Sequence, residues 1–219
     1  MGNSKTYVQF GAGLSAPDGW DSYDSSPTLR LMRLPVIGKL LCRLAGVNTP
    51  FPDTTKVGDI VKGLPVRPGS IAGAYGSHVL EHLPLDDFRI ALRNVYDMLE
   101  PGGRLRLIVP DMRGRAERYV NAARTQDANA VHHLLDSTVL GLRSRPKSFI
   151  GKLRMFGHSG HYWMWDEAAM VQELKAAGFI EIRPCVPADS ADPAFLLVED
   201  PGRFIDDGIV ELAMEAVKP

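Results

Sequence analysis

Histidines beside a carboxylate or beside aromatic residues are the side chains of this sequence best suited to chemistry. One group lies in the run Ser77-His-Val-Leu-Glu-His82, and another lies in a glycine- and aromatic-rich stretch from Phe156 to Trp165, which has the composition of a pocket rim. Imidazole is the usual side-chain base near neutral pH. We predict that a general base comes from one of three residues, with the 158–161 loop favoured: His158, His161 and His78.

A strand, a helix and a second strand must position the first group. Residues 71–75 form an apolar run, and Pro84 suits the first turn of a helix. Apolar residues then recur at helical spacing as far as Leu99, and Pro101-Gly-Gly103 ends the helix. The apolar run 105–109 fits a strand that is covered on both faces. The pattern predicts a right-handed βαβ unit, which is half of a doubly wound sheet.

A first strand is predicted at Thr6–Phe10, and it runs into Gly11-Ala-Gly13. The loop after this strand lies at the switch point of a doubly wound sheet, where ligands bind, and glycines let a ligand approach the backbone. A plain turn would have the same residues. A nicotinamide-dependent dehydrogenase is disfavoured, because Pro17-Asp-Gly19 interrupts the helix that would bind a pyrophosphate. A second strand, Trp20–Asp24, follows at once.

Two motifs of the βαβ unit resemble a known family. Ser77-His-Val-Leu-Glu-His-Leu83 and Leu99-Glu-Pro-Gly-Gly-Arg-Leu-Arg-Leu-Ile-Val-Pro-Asp111 resemble the fourth and fifth strands of class I S-adenosylmethionine-dependent methyltransferases, in a bacterial branch with a shortened first helix. The resemblance covers residues from about Lys5 to Phe179. It implies an α/β fold with a doubly wound, mostly parallel, Rossmann-like sheet whose last strand is antiparallel. We place that last strand at Asp192–Glu199.

The resemblance also implies S-adenosylmethionine as cofactor and S-adenosylhomocysteine as product. The implied binding residues lie at four strand ends: Phe10, Gly11, Ala12 and Gly13 in the glycine loop, Asp24 and Ser25 at the ribose, Asp59 and Ile60 at the adenine, and Ser77 and His78 at the methionine end. Two of these have plainer interpretations. Asp24 is alternatively a helix cap or a turn residue, and Asp59 is alternatively a loop residue that caps the next element.

Two metal hypotheses compete for residues 77–82. The pattern His-x-x-Glu-His formally matches a zinc peptidase motif, but that motif needs a continuous helix, and here a strand and Pro84 flank it. Metal-dependent methyltransferases of ubiquinone synthesis and small-RNA modification have Glu-x-x-Glu-His at this point, and His78 departs from their pattern. The alternative is a His/Glu/His set completed by His158 or His161. Our prediction is that no metal is bound.

We predict one methyltransferase domain over residues 1–219, with insertions at about 28–56 and 127–160 and a helical tail at about 201–219. The first insertion has an amphipathic pattern with four basic residues between 29 and 44. It is interpreted as a cover over the sheet edge. The alternatives are a lid over the substrate pocket, or a surface for an anionic acceptor or for lipid headgroups, which would give peripheral membrane contact.

Composition narrows the functional classes. A formal net charge of −1 argues against nucleic acid as a partner. No apolar run reaches the roughly 20 residues that span a bilayer. Two distant cysteines, Cys42 and Cys185, suggest reduced thiols in a cytoplasmic protein.

The function that the resemblance implies is methyl transfer to an oxygen or nitrogen of a small-molecule acceptor. By analogy with the branch, the acceptor is a sugar or glycan precursor or a secondary metabolite, and the basic segments would suit a phosphate group on it. The alternative is a non-catalytic cofactor-binding module that stabilises a partner enzyme. It stays open because Gln9-Phe10 stands where an acidic residue would precede the glycine loop.

Overall fold

The computed structural model describes residues 6–35, 38, 50–141, 143 and 160–219. Its strands are β1 (Tyr7–Phe10), β2 (Trp20–Asp24), β3 (Lys56–Val57), β4 (Ile71–Ser77), β5 (Leu99–Val109), β6 (Ile180–Pro184), β7 (Ile205–Asp206), β8 (Ile209–Val210) and β9 (Leu212–Val217). Its helices are α1 (Pro27–Met32), α2 (Leu85–Met98), α3 (Met112–Arg124), α4 (Ala130–Ser137) and α5 (Glu167–Ala176).

Seven of the strands form one sheet in the order β3-β2-β1-β4-β5-β9-β6. β9 is antiparallel to both β5 and β6, whereas the other pairs are parallel. The predicted fold class, a doubly wound and mostly parallel sheet with an antiparallel last strand, is confirmed. The chain leaves β1 on one side for β2 and β3, and it returns on the other side with β4. The switch point of the sheet therefore lies between β1 and β4.

The predicted βαβ unit is present as β4, α2 and β5. α2 begins directly after Pro84, where a missing N–H costs no helical hydrogen bond. Its buried residues share one face, and they pack in the larger of two apolar cores: Phe88, Ala91, Leu92, Val95 and Met98. Burial of each large apolar side chain contributes about 1.5–3 kcal/mol, so this face fixes the helix on the sheet.

The opposite face of the sheet is covered by residues 193–204, which form two 3-10 helices, Pro193–Leu197 and Pro201–Phe204. Phe195 and Phe204 belong to the second apolar core, together with Trp20 of β2. The Trp20 indole also donates a hydrogen bond to the Ala194 carbonyl oxygen at 3.1 Å. This segment therefore packs on the face of the sheet opposite to α2 and forms one wall of the space beside the switch point.

Two predictions for the last part of the chain are wrong. Asp192–Glu199 is not a strand, because Asp192 caps a 3-10 helix through the Ala194 N–H. The tail 201–219 is not helical, since it contains a 3-10 turn, the β7–β8 hairpin and β9. All six residues of β9 are buried between β5 and β6, and this placement makes an extended segment more stable than an amphipathic helix.

Parts of both predicted insertions lie outside the described residues, namely 36–37, 39–49, 142 and 144–159. The described parts hold α1 and α4. Most of the basic 29–44 segment, with its predicted membrane contact, and His158 also fall outside. Among the described residues, no helix is long and apolar enough to cross a membrane.

Candidate functional site

A cavity of about 560 Å³ opens at the carboxyl ends of β1 and β4, at the switch point of the sheet. Its walls come from the glycine loop, the end of β4 and the 3-10 segment. Of the predicted site residues it is lined by Phe10, Gly11, Ala12, Gly13, Ser77 and His78. The structure therefore brings together six predicted residues from two separate stretches of the sequence, 10–13 and 77–78, around one space.

The glycine loop is held in a fixed shape by its neighbours. Gly11 has a φ of 61°, and a Cβ added there would overlap the Cγ2 atom of Val79. Only glycine fits this position, because a side chain would meet both a strained backbone and a branched neighbour. The Ala12 N–H donates to the Tyr23 carbonyl oxygen at 3.0 Å, which joins the loop to β2.

The Gln9 side chain stabilises the same loop through hydrogen bonds. Its side-chain Nε2 donates to the carbonyl oxygens of Ser15, at 2.9 Å, and Ala12, at 3.4 Å. Both partners are acceptors, so they orient the amide and leave Oε1 as its free acceptor. Gln9 is 2 % exposed and lines the cavity, although the sequence patterns did not single it out as a binding residue.

Three buried polar atoms in the cavity wall have no hydrogen-bond partner among the described residues: Gln9 Oε1, Tyr75 Oη and Ser77 Oγ. Burial raises the pKa of Tyr75 to about 12, against a smaller opposing effect of the neighbouring Ser77 hydroxyl, so the Tyr75 hydroxyl stays protonated and can donate. An unpaired buried polar atom costs about 1–3 kcal/mol. Three of them around one space indicate a site whose polar partner is supplied by a ligand.

Asp24 lies at the end of β2, as predicted, but it does not line this cavity. Its Oδ2 accepts from the Gly13 N–H at 2.9 Å, and its Oδ1 accepts from the Ser26 N–H at 2.8 Å. The carboxylate is 8 % exposed and ties the glycine loop to the start of α1. Each carboxylate oxygen keeps a further lone pair for a hydroxyl donor.

The predicted adenine residues lie near Asp24 at the adjacent strand end. The Gly58 N–H donates to the Asp24 carbonyl oxygen at 3.0 Å, which places the following residue Asp59 beside the end of β2. The Asp59 carboxylate accepts from the Val61 N–H at 3.0 Å, whereas Ile60 is buried in the larger core. Ser25, Asp59 and Ile60 are not part of the cavity wall, and their roles stay predictions.

His78 is the predicted base that faces the cavity. Its backbone has a φ of 53°, and its N–H donates to the Ile108 carbonyl oxygen at 2.8 Å, so β5 holds this strained turn. The ring Nε2 lies 3.0 Å from the Arg203 carbonyl oxygen. Arg203 and Glu199 also line the cavity. The sequence did not reveal them, because they lie in the segment that was predicted to be a strand and a helical tail.

His161, another predicted base, does not line this cavity. Its ring packs against the ring of His82, with centroids 4.9 Å apart. Its chain neighbours Tyr162 and Trp163 donate from their backbone N–H groups to the Glu81 carbonyl oxygen, at 2.8 and 3.2 Å. Burial lowers the pKa of His161 to about 4, with the neighbouring His82 acting in the same direction. His161 is therefore a neutral imidazole at physiological pH.

No family model matches the sequence, and no curated protein matches it either. The chain is similar in fold to solved methyltransferase structures. One is the putative methyltransferase of Haloferax volcanii in complex with the activator Trm112, with 16 % identity, a TM-score of 0.48, and coverage of 99 % of this chain and 83 % of that one.

Two further structures contain S-adenosylhomocysteine. A Burkholderia thailandensis 1,6-didemethyltoxoflavin-N1-methyltransferase has 14 % identity and a TM-score of 0.45, with 98 % of this chain and 71 % of that one covered. A Haemonchus contortus phosphoethanolamine N-methyltransferase has 13 % identity and a TM-score of 0.49. This chain is covered completely in that comparison and spans half of the Haemonchus chain. These are similarities of fold.

Proposed function

We propose that this protein is an S-adenosylmethionine-dependent methyltransferase that acts on an oxygen or nitrogen of a small-molecule acceptor. The observation that carries the proposal is the cavity at the switch point, where three buried polar atoms beside a glycine loop have no partner within the part of the chain that the structure describes. Ligands bind at this place in doubly wound sheets. The family resemblance of residues 77–83 and 99–111 adds the identity of the cofactor.

The residues present fit that cofactor. Its amino-acid end carries an ammonium and a carboxylate, and the cavity wall offers the Gln9 Oε1 acceptor and the Tyr75 and Ser77 hydroxyls. The glycine loop has a backbone that a ligand can approach closely. When bound, the cofactor supplies an electrophilic methyl group on a sulfonium sulfur.

Asp24 and Asp59 are proposed to hold the nucleoside end. Asp24 would accept from a ribose hydroxyl with the lone pairs that Gly13 and Ser26 do not use. Asp59 would accept from the adenine amino group. The hydrogen bond from Gly58 to the Asp24 carbonyl oxygen keeps the two strand ends at a fixed separation, which suits a rigid ligand that contacts both.

His78 is the proposed base among the described residues. It lines the cavity, its ring is held by the Arg203 carbonyl oxygen, and its strained backbone is held by β5. Because Nε2 donates to the Arg203 carbonyl oxygen, Nδ1, which lies 3.7 Å from Glu81 Oε1, is the ring nitrogen that would take the proton from the acceptor. The rim beside it has exposed apolar side chains, Leu14 and Leu197. An acceptor with an apolar part would therefore gain contacts at this rim.

Calorimetric titration with S-adenosylhomocysteine tests the proposal, and two tyrosine variants sharpen it. Tyr75→Phe removes a hydroxyl that has no partner in the described structure, so the free energy of unfolding should be unchanged or raised while affinity falls about 5–10-fold. Tyr7→Phe is the matched control. Its hydroxyl donates to Asp192 at 2.8 Å outside the cavity, so it should lose stability and keep affinity.

Absence of binding to the folded wild-type protein would refute the proposal. Equal affinities for Tyr75→Phe and wild type would move the ligand away from this cavity. Tight binding, without transfer of the methyl group of S-adenosylmethionine to a panel of hydroxyl and amine acceptors, would instead favour the non-catalytic module.

A further inference from the structure

A buried carboxylate and two imidazoles meet next to His78, which is a residue of the cavity wall. Glu81, His82 and His161, together the Glu81 cluster, each present one ligand atom, and these atoms lie within 4.8 Å of one another. Glu81 is fully buried, and neither of its carboxylate oxygens has a hydrogen-bond partner among the described residues. A buried carboxylate without a partner is costly unless another group compensates it.

In each of the two imidazole rings, a hydrogen bond to a backbone group holds the ring in place. His82 Nδ1 lies 3.3 Å from the Gly160 carbonyl oxygen, which leaves Nε2 facing Glu81 Oε1 at 3.7 Å. His161 is hydrogen-bonded to the backbone of Thr138, and its buried Nδ1 has no partner in the described structure. A backbone carbonyl that fixes one ring nitrogen while the other stays bare is the arrangement found around metal-ligating histidines.

The carboxylate of the Glu81 cluster has no cationic side chain beside it. Within the described ranges, no lysine or arginine makes an ion pair with Glu81, and the groups nearest to its Oε1 are the imidazole nitrogens His78 Nδ1 and His82 Nε2, each at 3.7 Å. A bound divalent cation would compensate the buried carboxylate, which the surrounding side chains leave without a partner.

We propose that Glu81, His82 and His161 bind one divalent transition-metal ion of the Zn²⁺ type. Imidazole nitrogen and carboxylate oxygen are preferred ligands of Zn²⁺, at about 2.0–2.2 Å. Ligand atoms in such a tetrahedral site lie roughly 3.4 Å apart, close to the 3.7 Å between His82 Nε2 and Glu81 Oε1. Small side-chain movements would complete the site.

This set differs from the motif-based alternative in leaving out His78, whereas His161 was one of the two residues that could complete that alternative. His78 Nδ1 lies 3.7 Å from Glu81 Oε1, while its side chain faces the cavity. The ion would thus lie one side chain behind the proposed acceptor space. It would also join the 3-10 turn Leu80–His82 to the segment 160–163, which packs on that turn. The proposal goes beyond the methyltransferase proposal and does not rest on it.

Zn²⁺ titration of the full, tag-free protein without cofactor tests the proposal, with calorimetry for affinity and thermal unfolding for stability. We expect one equivalent to bind and to raise the unfolding temperature. Glu81→Gln keeps the volume and removes the buried charge, so it should lose at least about 100-fold in affinity. Its metal-free form should unfold at the same or a higher temperature, which shows that the fold is intact.

Two further variants make the result decisive. His161→Ala should weaken Zn²⁺ binding as Glu81→Gln does. His133→Ala, on the exposed surface of α4, should leave it unchanged. No binding by the wild type, equal binding by Glu81→Gln, or an equal loss in His133→Ala would each overturn the proposal. None of these outcomes bears on S-adenosylhomocysteine binding, which is measured separately without metal.

Discussion

The Asp24 carboxylate accepts a hydrogen bond from the backbone N–H of Gly13 at 2.9 Å, so the end of β2 determines the shape of the loop after β1. The other carboxylate oxygen accepts from Ser26 at the start of α1. One side chain thus supports two backbone segments. A ribose-binding role and a turn role for Asp24 are compatible, because the carboxylate has lone pairs enough for both.

Asp24→Ala should therefore impair binding and stability together. The N–H groups of Gly13 and Ser26 lose their acceptor, and we expect a loss of about 1–3 kcal/mol in the free energy of unfolding. Affinity for S-adenosylhomocysteine should fall at least about 10-fold. Asp24→Asn keeps one acceptor oxygen, so its stability and affinity should lie between those of the wild type and those of Asp24→Ala. Urea unfolding and calorimetry measure these effects, and unchanged affinity in Asp24→Ala would contradict the ribose role.

The buried pair of Arg115 and Glu211 should be the most sensitive charge pair of α3. Both side chains are 0 % exposed, and two guanidinium nitrogens donate to the carboxylate at 2.8 and 2.9 Å. Glu211→Ala leaves a buried cation without its main partner and should cost about 3–5 kcal/mol in chemical unfolding.

Arg113 on the same helix provides the control for that experiment. It pairs with Glu117, but the side chains are 76 % and 61 % exposed, so Arg113→Ala should cost less than about 0.5 kcal/mol. A similar cost for both substitutions would show that burial does not determine the value of these pairs.

Asp189 should make stability depend on pH in the acid range. Burial acts to raise the pKa of Asp189, but hydrogen bonds from Arg183 and Arg106 outweigh it and lower the pKa to about 2. A lowered folded-state pKa stabilises the protein above the ordinary value of 3.8, and this contribution is lost as pH falls toward 2.

Asp189→Asn should therefore reduce the free energy of unfolding by about 1 kcal/mol at pH 7, a modest figure because the carboxylate is partly exposed. The difference from wild type should shrink as the pH falls from 5 toward 2. Asp86→Asn, at an exposed position on α2, should show no comparable trend. A constant Asp189→Asn difference over this range would exclude the assigned ion pairs as its cause.

Cys185 should resist thiol reagents in the folded protein. Its side chain is buried, and burial raises the pKa of the thiol to about 12, so almost no thiolate exists at pH 8. In a Cys42→Ser background, we expect negligible reaction with a disulfide reagent before unfolding and one equivalent in urea. Rapid labelling of Cys185 in the folded protein would show instead that the chain opens readily at the end of β6.

Local patterns predicted the segments whose stabilising contacts are close in sequence. β4, α2 and β5 follow from apolar periodicity and from the glycine turn. Asp166, directly before the helix, caps α5 through the Ala169 N–H. Asp111 caps α3 in the same way.

The C-terminal errors have a physical cause in distant partners. Glu211 and Glu215 are four residues apart, which suits the exposed face of a helix. In the structure both glutamates are buried, Glu215 in β9 and Glu211 directly before it. Glu211 pairs with Arg115 and Glu215 pairs with Arg106, and both arginines are far away in the sequence. A pattern of residue types does not contain such pairings.

The site was predicted only where a residue type has a known role. The family resemblance assigned the glycine loop, Asp24 and Ser77 to the cofactor. The loop and Ser77 line the cavity, whereas Asp24 does not, and their cofactor roles stay predictions. Gln9 and Tyr75 were missed, because a polar residue in a short apolar strand looks unremarkable until its partners are known. Their signal was the occurrence of polar groups in segments otherwise suited to full burial.

The position of β9 has a consequence for how the chain matures during synthesis. β5 and β6 leave the ribosome before β9, yet neither pairs with the other in the sheet. Until residues 212–217 emerge, the β5 edge is an open row of hydrogen-bonding groups that another nascent chain can join. The carboxylates of Glu211 and Glu215 arrive in the same step and neutralise arginines made about a hundred residues earlier. Closure of the sheet and charge neutralisation are thus a single late event.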